Sequence, residues 1–313
     1  MRPVLRFGGL LARRAALLAA LLVLVFALVN LLPGDAARST TERGATAADV
    51  AARRAQLGLD RPLSARFGDW IGGVLRGDLG STARGESVGD LVGRHFVNTL
   101  LLTGMALLLT VVAALLLGVL AASRAGRATD RGISGLAIAV LSLPEFVVAE
   151  LLVLVFASWL HWLPAVALIG PDGAVASPDM VVLPVLALAL PQIGWNTRVV
   201  RAAVLDAARA PHVETAHLDG LSPRRVLLRH VLPGALPTIA VSVATSVGVL
   251  FGGAVVVETV FNYPGVGAVL TAAVQDRDAP LVAGVLVLTG AVILAVLLVA
   301  DTIRAHAAEA VRR

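Results

Sequence analysis

Long apolar runs are the feature that most constrains the fold of this chain. A helix needs about 20 mainly apolar residues to cross a hydrocarbon layer roughly 30 Å thick. Six runs of suitable length contain few charges, at residues 15–32, 97–122, 133–157, 180–197, 238–260 and 280–302. We therefore predict an all-α integral membrane protein with six transmembrane helices.

Composition supports this class and argues against several others. Of 313 residues, 58% are hydrophobic and 15% are charged, against about 45–50% and about 25% in soluble domains. The chain has no cysteine, which excludes disulfides and thiolate chemistry. A net charge of +5 in so apolar a chain does not indicate a nucleic-acid-binding surface, so we expect no nucleic-acid partner.

Arginine distribution predicts the orientation in the membrane. Segments 1–14, 123–132, 198–237 and 303–313 together hold 16 arginines in 75 residues, whereas the alternate segments hold 10 in 105. Because positively charged loops stay in the cytoplasm, both termini are predicted to lie inside. The expected location is a bacterial plasma membrane, crossed several times and in contact with its lipid.

The order of apolar runs and loops predicts that the chain is organised in two regions. Residues 1–96 comprise the first span and an ordered extracytoplasmic loop, with a short helix over 47–56 and a turn at 57–62. Residues 97–313 comprise five further helices and a long inside loop at 198–237. A short apolar segment after Gly265 is too short to span the membrane.

The inside loop is the most informative stretch. Helical spacing is predicted over 204–219, and Gly220 ends that helix because glycine accepts the left-handed conformation. Ser222 and Pro223 then begin a second helix, predicted over 223–232. Its apolar side carries Val226, Leu227 and Val231, while Arg224, Arg225 and Arg229 lie elsewhere. Such a helix is typical of docking onto a partner protein, or of lying on anionic lipid.

The same loop resembles the Glu-Ala-Ala loop of ABC importer permeases, whose pattern is E-A-A-x3-G-x9-I-x-L-P. The matching positions are Glu214, Ala216, Gly220 and Leu232-Pro233, while Thr215 and His230 depart from the pattern. Histidine at position 230 is usual in the dipeptide, oligopeptide and nickel branch of the family.

Further segments resemble that branch in order and spacing. They are Leu32-Pro33-Gly34-Asp35, Leu57-Gly58-Leu59-Asp60-Arg61-Pro62, Arg76-Gly77-Asp78-Leu79-Gly80-Ser81, Ser142-Leu143-Pro144-x-Phe146, Trp162-Leu163-Pro164 and Gly252-Gly253 through Glu258-x-x-Phe261-x-x-Pro264-Gly265-Val266-Gly267. The long N-terminal half resembles the first of the two permease subunits of such binding-protein-dependent systems. The C-terminus departs from the usual pattern.

The resemblance implies a MetI-like permease bundle with cytoplasmic coupling helices, importing dipeptides or oligopeptides at the expense of ATP. Nickel, or another solute such as glutathione or a sugar, is the alternative cargo. The implied partners are a second permease in a heterodimer, two ABC ATPase subunits and an extracytoplasmic solute-binding protein. The residues implied to couple to the ATPase are Glu214, Thr215, Ala216, Gly220, Arg224, Arg225, His230 and Pro233.

This chain is not predicted to be an enzyme. It contains no G-x-x-x-x-G-K-[ST] motif and no lysine, so ATP and Mg would be bound by the partner subunits. Six scattered histidines without an i, i+4 pair predict no metal site, and no other cofactor is expected. A Gly132-Ile133-Ser134-Gly135 segment resembles a serine protease motif, but no span offers a histidine at matching depth.

Three carboxylates remain as candidate pathway or gate residues. Glu145 and Glu150 lie in the third apolar run, where an ionised carboxylate is costly unless it faces water, a partner or the bundle interior. They either line the pathway and attract a cationic group, or pair at a subunit interface or stay protonated. Glu258 belongs either to an outer gate or to a structural turn. A proton-coupled secondary transporter using Glu145 and Glu150 is the rival from another class.

Overall fold

In the computed structural model, residues 16–17, 19–24, 26–28, 36–41, 45–168, 170 and 175–310 are described. Within these ranges the chain is helical, apart from connecting segments that include a β-bridge between Ser81 and Ser87. The helices are α1 (Ala36–Thr40), α2 (Ala47–Gln56), α3 (Leu63–Val74), α4 (Val88–Ser123), α5 (Ala128–Leu141), α6 (Glu145–Leu152), α7 (Val182–Ala207), α8 (Pro211–Leu218), α9 (Pro223–Val226), α10 (Leu232–Val260), α11 (Val266–Gln275) and α12 (Ala279–Ala310).

Helices long and apolar enough to cross a membrane coincide with four of the predicted runs. In the described part of the chain they are Val88–Ser123, Pro178–Ala207, Pro223–Val260 and Ala279–Val299. The predicted helix at Ala47–Gln56 and the short apolar helix after Gly265 are confirmed as α2 and α11. The predicted first span, 15–32, lies partly outside the described residues.

The prediction of one unbroken helix over 133–157 is wrong. Helix α5 ends at Leu141, α6 begins at Glu145, and the two are bent by 102°. Pro144 lies between them in an extended conformation, with φ −58° and ψ 145°. Since proline disfavours helical backbone in the residue before it, Ser142-Leu143-Pro144 interrupts the run. After α6 the chain continues as a π-helical segment, Val153–Trp159.

One compact unit comprises residues 1–99 and 264–294. Its core contains an aromatic group in which the Phe26 and Phe67 ring centroids lie 5.3 Å apart and those of Phe26 and Trp70 lie 5.9 Å apart. Asp278 is buried and accepts hydrogen bonds from the backbone N–H groups of Ala83 and Leu281. Burial raises the pKa of the Asp278 carboxyl, although these hydrogen bonds oppose the shift.

The second unit comprises residues 100–263 and 295–313, and α7 packs against α5, α6 and α10 within it. At Gly194, an added Cβ would lie 2.7 Å from the Ala137 carbonyl oxygen of α5. The absence of a side chain at position 194 therefore lets the two backbones approach closely, as small residues do in membrane helix bundles.

Buried polar side chains join α7 to α10. The Asn196 side-chain amide donates a hydrogen bond to Ser246 Oγ (2.8 Å), and Ser242 Oγ donates to Asn196 Oδ1 (2.8 Å). All three residues are buried. Because a buried polar group without a partner is costly, this network specifies how the two helices align.

The Gly194 contact predicts a steric effect of substitution. Gly194→Ala places a methyl group against a backbone oxygen that cannot rotate away, so we expect a loss of about 1–3 kcal/mol of stability. The matched control is Gly135→Ala on α5, where a Cβ meets nothing within 4 Å. That control should be neutral, or stabilising by up to about 1 kcal/mol. Thermal unfolding of the purified protein in one detergent measures both, and equal midpoints would contradict the close approach.

Candidate coupling segment and pathway carboxylates

The residues between α7 and α10, 208–231, form what we call the coupling segment. The prediction of one helix over 204–219 is wrong, because α7 ends at Ala207 and α8 begins at Pro211. Ala210 is extended, with φ −68° and ψ 141°, as the residue before a proline prefers to be. The break gives α8 an axis of its own.

Gly220 ends α8, as the sequence predicts. Its φ is +75°, and its N–H donates to the His217 carbonyl oxygen (3.1 Å). Leu221 N–H donates to the Ala216 carbonyl oxygen (3.3 Å), which completes a left-handed helix end. Nothing lies within 4 Å of a Cβ added to Gly220, so the backbone conformation, not space, favours glycine there.

The second helix of the segment begins at Pro223, as predicted, but it does not end at Leu232. From Pro223–Val226 the chain passes through a π-helical turn, Leu227–Val231, directly into α10. The coupling segment is therefore continuous with the long helix that follows it.

One side of the coupling segment packs against the rest of the second unit. Val213, Ala216, Val226 and Val231 are buried in a cluster that also contains Val204 of α7. The predicted apolar side of the second helix is thus confirmed, with Leu227 packed against the same cluster. Ala216 faces inward, where its small side chain lets α8 lie close to the bundle.

The opposite side is exposed and mixes charged with apolar groups. Its exposed residues are Glu214, Thr215, His217, Leu218, Arg224, Arg225, Leu228 and Arg229. Leu218 is 81% exposed at the end of α8, and sequence reasoning missed it. Leu228 on the same side is 63% exposed, so this surface carries apolar as well as charged side chains. The available signal was a leucine among polar residues at the end of a short helix.

His230 and Pro233 lie where the segment joins α10. A ring nitrogen of His212 lies 3.3 Å from the His230 carbonyl oxygen, and the two rings are 6.5 Å apart. This contact ties the start of α8 to the π-helical turn. Pro233 is exposed in the first turn of α10, a position where proline is tolerated.

Glu145 is the first residue of α6, and its half-buried carboxylate rests on the backbone of α10. A Cβ added to Gly253 would lie 2.7 Å from Glu145 Cδ and would overlap its carboxylate oxygens. The carboxylate therefore occupies space that only glycine leaves open. Glu150, further along α6, is exposed, so the structure does not place the two carboxylates in a common buried site.

Glu258 lies in the last turn of α10 and is only 1% exposed. Its carbonyl oxygen accepts a hydrogen bond from Tyr263 N–H (2.8 Å), and Phe261 O accepts one from Ala167 N–H (2.7 Å). Burial, and then the negative charge of Glu258, raise the pKa of Tyr263 to about 12. Glu258 is therefore a buried residue at a helix end whose backbone carbonyl groups are hydrogen-bonded.

Metal-binding geometry is not found in the described ranges: no group of three or more His, Cys, Asp or Glu side chains there could hold an ion. What the described residues do provide is a set of helices of membrane length, two of which are joined by the coupling segment with one side buried and the other exposed. Such an arrangement is consistent with a membrane-spanning subunit of a transport system.

The chain belongs to the family of binding-protein-dependent transport system inner membrane components, whose model matches residues 114–313. A second model, for the N-terminal part of such membrane components, matches residues 5–113. The chain is 32% identical to a putative peptide permease of Brucella ovis, with 91% of this chain and 92% of the relative covered. It is 34% identical to the glutathione transport system permease GsiC of Escherichia coli K12, with 93% of each covered.

Solved structures support the fold independently. A chain of the inward-facing MetNI methionine ABC transporter aligns with a TM-score of 0.57 at 19% identity, covering 69% of this chain and 96% of that one. The family match and the sequence relatives show that the chain is an ABC importer permease subunit. The structural alignment shows that it has the fold of that methionine transporter chain. Its family is one of bacterial inner-membrane, multi-pass proteins.

Proposed function

We propose that this chain forms part of the pathway by which peptides enter a bacterial cell. The relatives named as peptide permeases and as a glutathione permease support this cargo, since glutathione is itself a tripeptide. Their similarity extends over nine-tenths of both chains. The half-buried carboxylate of Glu145 adds a group that would attract the ammonium end of a peptide.

In the proposed assembly the chain pairs with a second permease, two ATPase subunits and an extracytoplasmic solute-binding protein. It crosses the membrane six times with both termini inside, which the arginine distribution supports. This orientation places the coupling segment in the cytoplasm, where an ATPase subunit could reach it.

The exposed side of the coupling segment is the proposed docking surface for the ATPase. Leu218 would enter an apolar depression on the partner, while Glu214, Arg224 and Arg225 would meet polar groups around it. Because the other side is packed against α7 and continuous with α10, a displacement of the segment would be passed to both helices.

Gly220 tests this coupling role. Gly220→Val forces a β-branched residue to adopt a φ of +75°, which should reorient α8 relative to α9. ATP hydrolysis by the reconstituted complex should continue while peptide uptake falls by about five- to thirtyfold, which corresponds to a cost of about 1–2 kcal/mol for the left-handed backbone.

The matched variant is Gly220→Asn, because asparagine tolerates the left-handed region. It should retain most of the uptake of the unmodified complex. Uptake by the valine variant at the unmodified rate, with the complex assembled, would remove Gly220 from the coupling mechanism.

Glu145 is the proposed pathway residue, and its contact with α10 supplies a paired test. Gly253→Ala should displace the carboxylate without unfolding the bundle, since the end of a glutamate side chain can rotate away. Gly252→Ala is the control, because a Cβ there meets nothing within 4 Å. We expect peptide uptake to fall severalfold in the first variant only, in step with Glu145→Gln.

If Glu145→Gln and Gly253→Ala both take up peptide like the unmodified transporter, Glu145 does not line the pathway. Glu150→Gln is measured beside them, since Glu150 is exposed and lies in the same helix. A fall with Glu150→Gln alone would transfer the proposed pathway role to Glu150. Glu258 stays a candidate gate residue whose buried position equally suits a structural role.

The cargo is tested by uptake of a labelled dipeptide, labelled glutathione and labelled nickel ion in cells carrying the intact transporter. Cells in which this chain carries Gly220→Pro are the control. We expect dipeptide uptake that depends on the intact chain and on ATP. Loss of nickel uptake alone would assign the system to metal import, and uptake driven by the proton gradient without ATP would contradict the proposed mechanism.

A further inference from the structure

A cavity of about 520 Å³ lies between α5 and α7, within the second unit. Its wall includes three arginines, Arg131 of α5 and Arg198 and Arg201 of α7, together with Asp130. None of these residues belongs to the coupling segment or to the pathway carboxylates. The cavity thus needs an explanation of its own.

Among the described residues, one of the three guanidinium groups, that of Arg201, makes an ion pair. Arg201 Nε and Nη2 donate to the two carboxylate oxygens of Asp130 at 2.6 and 2.8 Å. Arg131 donates to the Gly126 carbonyl oxygen (3.2 Å), which leaves its charge uncompensated. Arg198 is exposed and has no hydrogen bond or ion pair within the described part of the chain. Two positive charges therefore face one cavity.

The same cavity has an apolar wall. Trp195 is 47% exposed and Ile138 is 50% exposed, and both line it. Uncompensated guanidinium groups beside exposed apolar surface match an amphiphile that has an anionic head and a hydrocarbon body. Tryptophan at such a boundary is typical of the membrane–water interface.

The position of the cavity along the helices also fits an anionic amphiphile. It lies toward the end of α7 that leads into the coupling segment, and near the α4–α5 turn with its arginines. In the proposed orientation this is the cytoplasmic boundary of the membrane, and the placement rests on that proposal. Basic cavities between membrane helices at this boundary bind phospholipid head groups.

We propose that this cavity binds the phosphodiester head group of an anionic phospholipid, with Arg131 and Arg198 holding the phosphate and Trp195 contacting the lipid body. The Asp130–Arg201 pair fixes the wall and keeps a third guanidinium aligned. A free phosphate ion shares the head-group chemistry, but it would not use the apolar wall.

The absence of cysteine from the chain permits a local test. Ala202 lines the cavity and is exposed, so Ala202→Cys reports access to the site, and Ala208→Cys, exposed just beyond the end of α7, is the matched control. The full transporter is placed in nanodiscs of phosphatidylcholine with increasing phosphatidylglycerol. The rate at which a neutral maleimide labels this chain is then measured.

We expect phosphatidylglycerol to slow labelling at position 202 and not at position 208. Arg198→Gln should raise the phosphatidylglycerol fraction needed for half protection by about fivefold, the contribution of one arginine facing an anionic lipid. Arg127→Gln removes a positive charge from the neighbouring turn, outside the cavity. This variant should change the phosphatidylglycerol fraction for half protection much less.

Other outcomes identify other occupants and overturn the proposal. Protection by inorganic phosphate in pure phosphatidylcholine, with no effect of phosphatidylglycerol, would assign the site to a soluble anion. Protection at position 202 that is independent of lipid would mean that a partner subunit covers the cavity. Equal effects of Arg198→Gln and Arg127→Gln would reduce the effect to general surface charge.

Discussion

The close packing of α7 against its neighbours is the constraint on which the second unit depends. In lipid, apolar surface gains little by leaving its surroundings, so helices associate through close backbone approach and hydrogen bonds. Gly194 allows close backbone approach to Ala137. Gly118 on α4 allows close approach to α7, because a Cβ there would lie 2.6 Å from the Val200 side chain. Asn196 supplies hydrogen bonds between helices, through its contacts with Ser242 and Ser246 of α10.

This packing gives the coupling segment a mechanical connection to the bundle. Val204, close to the end of α7, shares a cluster with the inward side of the segment, and α10 begins where the π-helical turn ends. Steric contact at Gly194 and buried hydrogen bonds at Asn196 hold α7 at two levels above the segment. In the proposed mechanism, these contacts are the route by which a displacement of the segment would reach the bundle.

Hydropathy predicted where most long helices lie, but not how far they extend. Helix α4 begins at Val88 and α7 continues to Ala207, both beyond the apolar run, because helical hydrogen bonding continues through polar residues at a helix end. Hydropathy does not show the break at Pro144, because 133–157 is apolar on average in spite of Glu145 and Glu150. The signal for it was local, in the restriction that a proline imposes on the preceding residue.

In the candidate site, features set by local backbone geometry could be predicted from the sequence, whereas features set by tertiary packing could not. Gly220 could be predicted because a helix end needs a left-handed residue whatever surrounds it. The exposure of Leu218 could not, since it depends on which side of α8 the bundle covers.

The contact of Glu145 with Gly253 joins two helices far apart in sequence, and no spacing rule relates them. A half-buried carboxylate in an apolar bundle lowers stability unless it gains a partner. The backbone leaves room for the carboxylate at Gly253, and no ion pair to Glu145 is found among the described residues. That position is consistent with the proposed role, in which the cation arrives with the cargo.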